Sequence, residues 1–292
     1  MAFTIEELGF VRDGDGWRKA IGGFDARFRR LRTAAELEPV AELQQVIWGL
    51  TDRDVVPPHA LMPVADTGGA VLGAWRAGHN ELAGFVFGWG GYVDGRPILV
   101  SDMLGVRREL RHRGLGFALK GLQCALALAG GFVEMRWTVD PLRAANARLN
   151  FAKLGAYSDE YFPDLYGGAF GEGLYGGMPT DHLAIRWPLT SARVRDRLLG
   201  LRQAPTWADC AGLPVLGPGE APRGGRVLVE LPADIDALLA TDAPAALAWR
   251  HRLGAILPAA FAQGYAITEF VGYQSGEERL AYYLLERDWR PA

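Results

Sequence analysis

Hydrophobic and polar positions along the chain switch repeatedly between a period of two and a period near 3.6. Residues 27–33, RFRRLRT, alternate and predict a strand; residues 34–49, AAELEPVAELQQVIWG, carry apolar side chains at steps of three and four and predict a helix. Three runs at 69–78, 81–93 and 98–106 read as strands joined by Gly, Asn, Asp and Pro turns. Leu115, Ala118, Leu119, Leu122, Ala125, Leu126 and Ala129 then make one helical stripe, stopped by Gly130 and Gly131. A strand over 133–140, a helix over 146–154 closed by Gly155, and a strand over 182–189 follow. After a Pro/Gly-rich stretch at 204–225 come RVLVEL, a long helix over 244–264 that includes Pro258, then YAITEFVGYQ and RLAYYLLER.

This order predicts a mixed α/β (α+β) protein. Residues 1–26 read as an N-terminal extension and 27–190 as the main domain, a mixed sheet flanked by helices. Residues 191–225 read as a connector and 226–292 as a smaller β-α-β-β half-domain that extends a sheet or forms a homodimer contact. The 292 residues, 49% hydrophobic and 22% charged, are ordinary for a globular chain. A net charge of -3 gives no chain-wide pull toward nucleic acid or an anionic membrane. The basic runs RFRRLR and RRELRHR keep DNA binding as a competing reading, one that salt-dependent retention on DNA would support. Cys124 and Cys210 stand far apart, which argues against a disulfide framework or a zinc site; no metal is expected. With no signal-like start and no long uncharged apolar run, the expected setting is cytoplasmic, without a membrane partner. Lysine occurs only at Lys19, Lys120 and Lys153.

The stretch RHRGLGFALKGLQ, residues 111–123, places cations and two glycines between a strand ending at Val106 and the start of the apolar helix. Glycines let backbone N–H groups approach an anion, and the helix dipole favours its charge. A dinucleotide fingerprint would want a third glycine where Leu119 stands, and a P-loop would want Gly-Lys-Ser/Thr; neither is present. What remains, Arg111-x-x-Gly114-x-Gly116, resembles the acyl-CoA pyrophosphate motif of the GNAT N-acyltransferase superfamily. The surrounding order of strand, helix, three strands, motif helix, strand and helix is also that of the superfamily. The resemblance implies that the strands at 98–106 and 133–140 splay apart around the pantetheine arm of acetyl-CoA or succinyl-CoA. Backbone groups of Met103, Leu104, Gly105 and Val106 would then bind the arm, and N–H groups of Arg111, His112, Arg113, Gly114, Leu115 and Gly116 the pyrophosphate.

Further on, Asp140, Pro141, Leu142, Asn146, Asn150, Lys153, Leu154, Gly155, Tyr166, Gly167, Thr180, Asp181 and Trp187 match the pattern W-T-x-D-P-L, N-A-x-L-N, K-L-G, Y-G and T-D-[RH] of one GNAT branch. That branch has been linked to amino acid N-acylation, including succinyl transfer. Two departures stand out: Phe151 occupies the place of a frequent general-acid tyrosine, and Asp102 and His182 replace the branch's usual His and Arg. A thiolate leaves without obligatory protonation, and Tyr157, Tyr161 or Tyr166 are substitutes for the missing acid.

Attack of a neutral amine on a thioester needs a base and an oxyanion donor. Asp102, mid-strand, is the first candidate base. Asp181 and His182 are candidates for reading an amine or a carboxylate, or for closing a turn; Asn146 is a candidate cofactor ligand. The loop 157–179 is expected to cover the pocket of a small-molecule amine acceptor, with an amino acid favoured. A succinyl carboxylate would need a cation, for which Arg136 and Arg143 are the candidates, and succinyl-CoA is expected to outperform acetyl-CoA. The runner-up to an acyltransferase is a GNAT-fold protein that binds acyl-CoA without catalysis.

Overall fold

The computed structural model describes residues 3–167, 175–276 and 278–291. Among the described residues the chain is mixed α/β, with nine strands in one sheet, in the order β1-β2-β3-β4-β5-β6-β7-β9-β8, and three in a second, in the order β10-β12-β11, numbered along the chain. By its internal packing it divides into two compact units, Met1–Trp137 with Pro188–Thr190, and Thr138–Trp187 with Ser191–Ala292.

The first unit opens with β1 (Val11–Asp13), β2 (Gly16–Ile21) and β3 (Phe24–Arg30), two successive antiparallel hairpins. Much of the stretch read as an extension is therefore strand. Helix α1 (Ala34–Trp48) starts at a reciprocal capping box between Thr33 and Glu36 and ends at Gly49, whose φ of 65° is the left-handed geometry that glycine adopts without strain. Helix α2 (Pro58–Asp66), absent from the periodicity reading, begins with a proline in its first turn. Strands β4 (Ala70–Arg76), β5 (Leu82–Val93) and β6 (Arg96–Val106) continue the antiparallel meander. Helix α3 (Leu115–Ala129) and β7 (Glu134–Val139) follow.

The first seven residues of β5 are buried without alternation because the strand is covered on both faces. Phe85 and Phe87 point into a core with Leu37, Val40 and Leu43 of α1 and Leu61 and Val64 of α2. On the other face Gly84 backs onto Leu119 of α3. Each fully buried aromatic or aliphatic side chain of this kind contributes roughly 1.5–3 kcal/mol.

The second unit contains α4 (Ala144–Ala147), which widens over Arg148–Lys153 so that the N–H of Leu154 reaches back to the carbonyl of Leu149. Strands β8 (Tyr161–Phe162) and β9 (His182–Pro188) pair antiparallel, and α5 (Ala192–Leu198) follows. The tail builds β10 (Arg226–Leu231), α6 (Ile235–Thr241), α7 (Ala243–Phe261), β11 (Tyr265–Ser275) and β12 (Glu278–Arg287). The helix expected over 244–264 is α7, whose N-terminus is capped by the Asp242 carboxylate, and α6 is an additional short helix that precedes it. Phe151 is fully buried, its ring meeting that of Tyr283 edge-on at 5.6 Å, and Ser158 bridges to Ile267.

Among the described residues, no helix is long and apolar enough to cross a membrane, and no group of three or more His, Cys, Asp or Glu could hold a metal ion.

Candidate functional site

Strand β6 carries two departures from a regular ladder. On its β5 side, Met103 pairs with Phe87 and Ser101 with Gly88, so Asp102 is the extra residue of a β-bulge. On its β7 side the parallel ladder covers only Ile98, Leu99 and Val100 against Glu134, Met135 and Arg136. From Ser101 to Val106 that edge of β6 has no ladder partner among the described residues; this is the stretch where the acyltransferase resemblance expects the two strands to part. Met103, Leu104, Gly105 and Val106 line this free edge.

At the end of β6 a short 3-10 turn, Arg108–Leu110, leads into the basic loop. The Arg111 Nε donates to the Val106 carbonyl at 3.1 Å, closing the loop back onto the strand. His112 and Gly114 both have positive φ, 62° and 95°, and the hairpin at Gly22 packs so closely beneath that a Cβ there would collide with the Arg113 carbonyl. The backbone N–H groups of residues 112–117 have no acceptor among the described residues, so the loop and the first turn of α3 present a run of unspent donors. Arg108, Arg111, His112 and Arg113 are exposed around them. The two glycines serve differently. Gly114 is required by its backbone conformation, while a Cβ on Gly116 would meet only Leu104 and Val106 at ordinary distances of 3.6 and 3.8 Å. The protein's own packing leaves room at Gly116 that it does not use.

Asp102 has no hydrogen-bond or ion-pair partner among the described residues, and it retains contact with solvent. Neighbouring protein nevertheless strips enough water from its carboxyl that lost hydration pushes it up to about 6. A bulge that re-aims an unpaired carboxylate of this acidity is a suitable proton acceptor near neutral pH.

Beneath β6 lies a buried polar group that the helical stripe did not reveal. Lys120 Nζ donates to Ser101 Oγ at 2.8 Å and sits 3.6 Å from the centre of the Trp137 ring; Ser101 Oγ in turn donates to Gln123 Oε1 at 2.9 Å. The lysine is 2% exposed and has no carboxylate partner among the described residues. Burial lowers its amine to about 7, against an opposing pull from Cys124. The available sequence signal was a lone lysine inside an otherwise apolar helix.

The remaining candidates lie in the second unit. Asp181 is committed: its carboxylate accepts from the Tyr161 hydroxyl at 2.5 Å and from the Asp164 N–H at 2.9 Å, an arrangement that fastens the chain rather than leaving a base free. Tyr166 is 47% exposed, its hydroxyl 3.0 Å from Thr138 Oγ1 and its ring 4.8 Å from that of His182. His182 is buried with Nδ1 2.7 Å from the Thr180 carbonyl, which makes Nε2 the acceptor for the Tyr175 hydroxyl at 3.2 Å. Desolvation lowers the imidazole and raises the Tyr175 hydroxyl to about 12. The Tyr175 partnership is a feature that the sequence reading missed. Asn146 is exposed on α4. Arg136 is paired with Glu134 at 2.7 Å, and Arg143 with Asp236 at 2.8 Å, so both cations set aside for an acyl carboxylate are already engaged. Of the expected covering loop, Tyr157 bridges to Arg186 and Tyr161 and Phe162 are strand, so its beginning is sheet rather than lid. Residues 168–174 of that loop lie outside the described residues.

No family model matches the chain, and no curated protein does. Among solved structures, it is similar to yncA, a putative acetyltransferase from Salmonella typhimurium with its cofactor acetyl-CoA, at 20% identity and a TM-score of 0.46 over 58% of this chain and 97% of that one. A putative acetyltransferase of the GNAT family from Desulfovibrio desulfuricans gives 15% and 0.44 over 56% and 99%. An acetyltransferase of the GNAT family from Streptococcus pneumoniae gives 17% and 0.44 over 55% and 97%.

Proposed function

We propose that the protein is an acyl-CoA-dependent N-acyltransferase acting on a small amine, with an amino acid as the first acceptor class to test. The observation that carries this reading is the free edge of β6 running directly into the unspent N–H groups of residues 112–117 at the start of α3. That continuity suits a long substrate with an amide-bearing arm and a diphosphate at its far end. The arm lies along Met103, Leu104, Gly105 and Val106, exchanging hydrogen bonds with the backbone as a further strand would. The diphosphate takes the loop N–H groups, aided by the exposed arginines, each charge-assisted bond contributing roughly 1.5–3 kcal/mol.

The thioester then stops near the bulge. Asp102 accepts the proton of the attacking amine, directly or through water, and an N–H on the free β6 edge stabilises the oxyanion. The thiolate departs without an acid, since a thiol is acidic enough to leave as its anion. With Arg136 and Arg143 both engaged, acetyl-CoA ranks ahead of succinyl-CoA as donor.

Thiol release measured with acetyl-CoA and succinyl-CoA across an amino acid panel tests the reading; amine-dependent release is the expected outcome. Calorimetry on Gly116→Val should show a CoA dissociation constant at least tenfold higher, about 1.4 kcal/mol. CoA binding without amine-dependent thiol release would instead identify a binding protein, and wild-type protein that does not bind CoA would end the reading.

A further inference from the structure

The three lysines of this chain are not equivalent. Lys153 is exposed and Lys19 half-buried, whereas Lys120 is enclosed, with Ser101, Trp137, Gln123 and Cys124 about it. An ammonium buried without an anion is costly, and burial moves such a group toward its neutral, nucleophilic form. Its position is also specific. Ser101 is the first β6 residue beyond the parallel ladder and Trp137 the first of β7, so the amine rests at the closed end of the opening between the strands. From Val106 to Ser101 a strand covers about 17 Å, comparable to an extended pantetheine arm. An arm that enters at the loop and follows β6 therefore brings its thioester to the level of Ser101.

We propose that Lys120 is a self-acylation site, taking the acyl group of bound acyl-CoA onto its own Nζ. The step rests on the acyl-CoA reading above. The neutral amine attacks the thioester carbonyl, a C–N bond forms, and the C–S bond breaks. The thiolate leaves with the sulfur electron pair and takes up the proton that the nitrogen loses, giving an amide and free CoA thiol. The product suits the place better than the reactant: a neutral amide N–H still donates to Ser101 Oγ, and no charge remains buried. Because the group is retained at the closed end of the opening, acylation also shortens the space left for a second donor.

The test uses the full chain and acetyl-CoA with no amine added, followed by intact mass and tryptic mapping. One acetyl group on Lys120 is expected, seen as a peptide from Gly114 to Arg136 in which cleavage after Lys120 is missed. Gly116→Val, which weakens donor binding and leaves Lys120 in place, should slow the labelling at least tenfold. Acetyl phosphate, an acylating agent that needs no CoA site, should mark Lys153 and Lys19 ahead of Lys120 and so reverse the order. Lys120→Met confirms the assignment if it folds, but the wild-type result decides by itself. CoA bound in calorimetry with Lys120 unmodified overturns self-acylation and leaves the acyl-CoA reading standing. Equal labelling of all three lysines by acetyl-CoA also overturns it, and absence of CoA binding overturns both.

Discussion

At the scale of single residues, Asp102 shows how position converts an ordinary side chain into a reagent. The bulge removes it from the β5 ladder, no cation among the described residues holds it ionised, and lost hydration raises it to about 6. A base of that acidity is ionised above pH 6 and progressively protonated below. Amine-dependent turnover is therefore expected to fall on the acid side with an apparent pKa near 6. Asp102→Asn should lower kcat/KM by roughly 10²- to 10⁴-fold while CoA binding persists. A pH profile unmoved by the substitution would remove Asp102 from the base role. The loop glycines were legible in sequence as a pair, but their separate purposes were not. Only the backbone shows that Gly114 is bound to a φ of 95° and that Gly116 is free to accept a side chain, which makes Gly116 the informative position to change.

At the scale of elements, periodicity captured β3 through β6, α3, β7 and the terminal strands because each presents a sustained apolar face or is sandwiched between two. It passed over β1 and α5, which are short, and α2, whose prolines and mixed polarity hide its apolar face. It also passed over the inside of α3. A stripe of leucines and alanines says which face is buried but not that Lys120 and Gln123 are buried with it. That enclosure has a thermodynamic signature. Unfolded, Lys120 keeps its proton to near 10.5; folded, it gives it up at about 7. Between those values the unfolded chain binds more protons, so stability rises with pH, and below about 7 the folded state carries the whole penalty. Lys120→Met should therefore stabilise the protein at pH 6, by an amount on the order of a few kcal/mol. The advantage should shrink by pH 9 in chemical denaturation. An equal gain at both values would mean that the lysine is not desolvated.

At the scale of the whole molecule, the sequence divides most naturally near residue 190, while the compact units divide inside β7, between Trp137 and Thr138. Composition shows linkers but not which distant segments pack together. The second unit joins 138–187 to the chain's far end through the bidentate Arg250 to Asp140 pair at 2.7 and 2.9 Å, the Phe151 to Tyr283 contact and the bridge of Ser158 to Ile267. A chain ended at 190 would strand the Asp140 carboxylate without its guanidinium, and losing one partner of a buried pair costs about 3–5 kcal/mol. It would also open the Phe151 side of the core to water. Such a fragment should bind a hydrophobic dye and lose near-ultraviolet circular dichroism. A fragment with sharp, native-like aromatic signals would show instead that 138–187 can stand by itself.

The Tyr283 hydroxyl donates to the Pro141 carbonyl across 142 residues of chain. On a ribosome adding about 5–20 residues per second, the earlier of these two segments emerges roughly 7–30 s before the later one exists. During that interval those side chains of 138–187 that close on the far end, Phe151 among them, lack their native partner, and neighbouring nascent chains or a chaperone compete for them. Yield in the cell is thus set by how that waiting period is managed. Slower translation of the final hundred codons would lengthen the exposure and increase aggregation without altering a single contact of the finished protein.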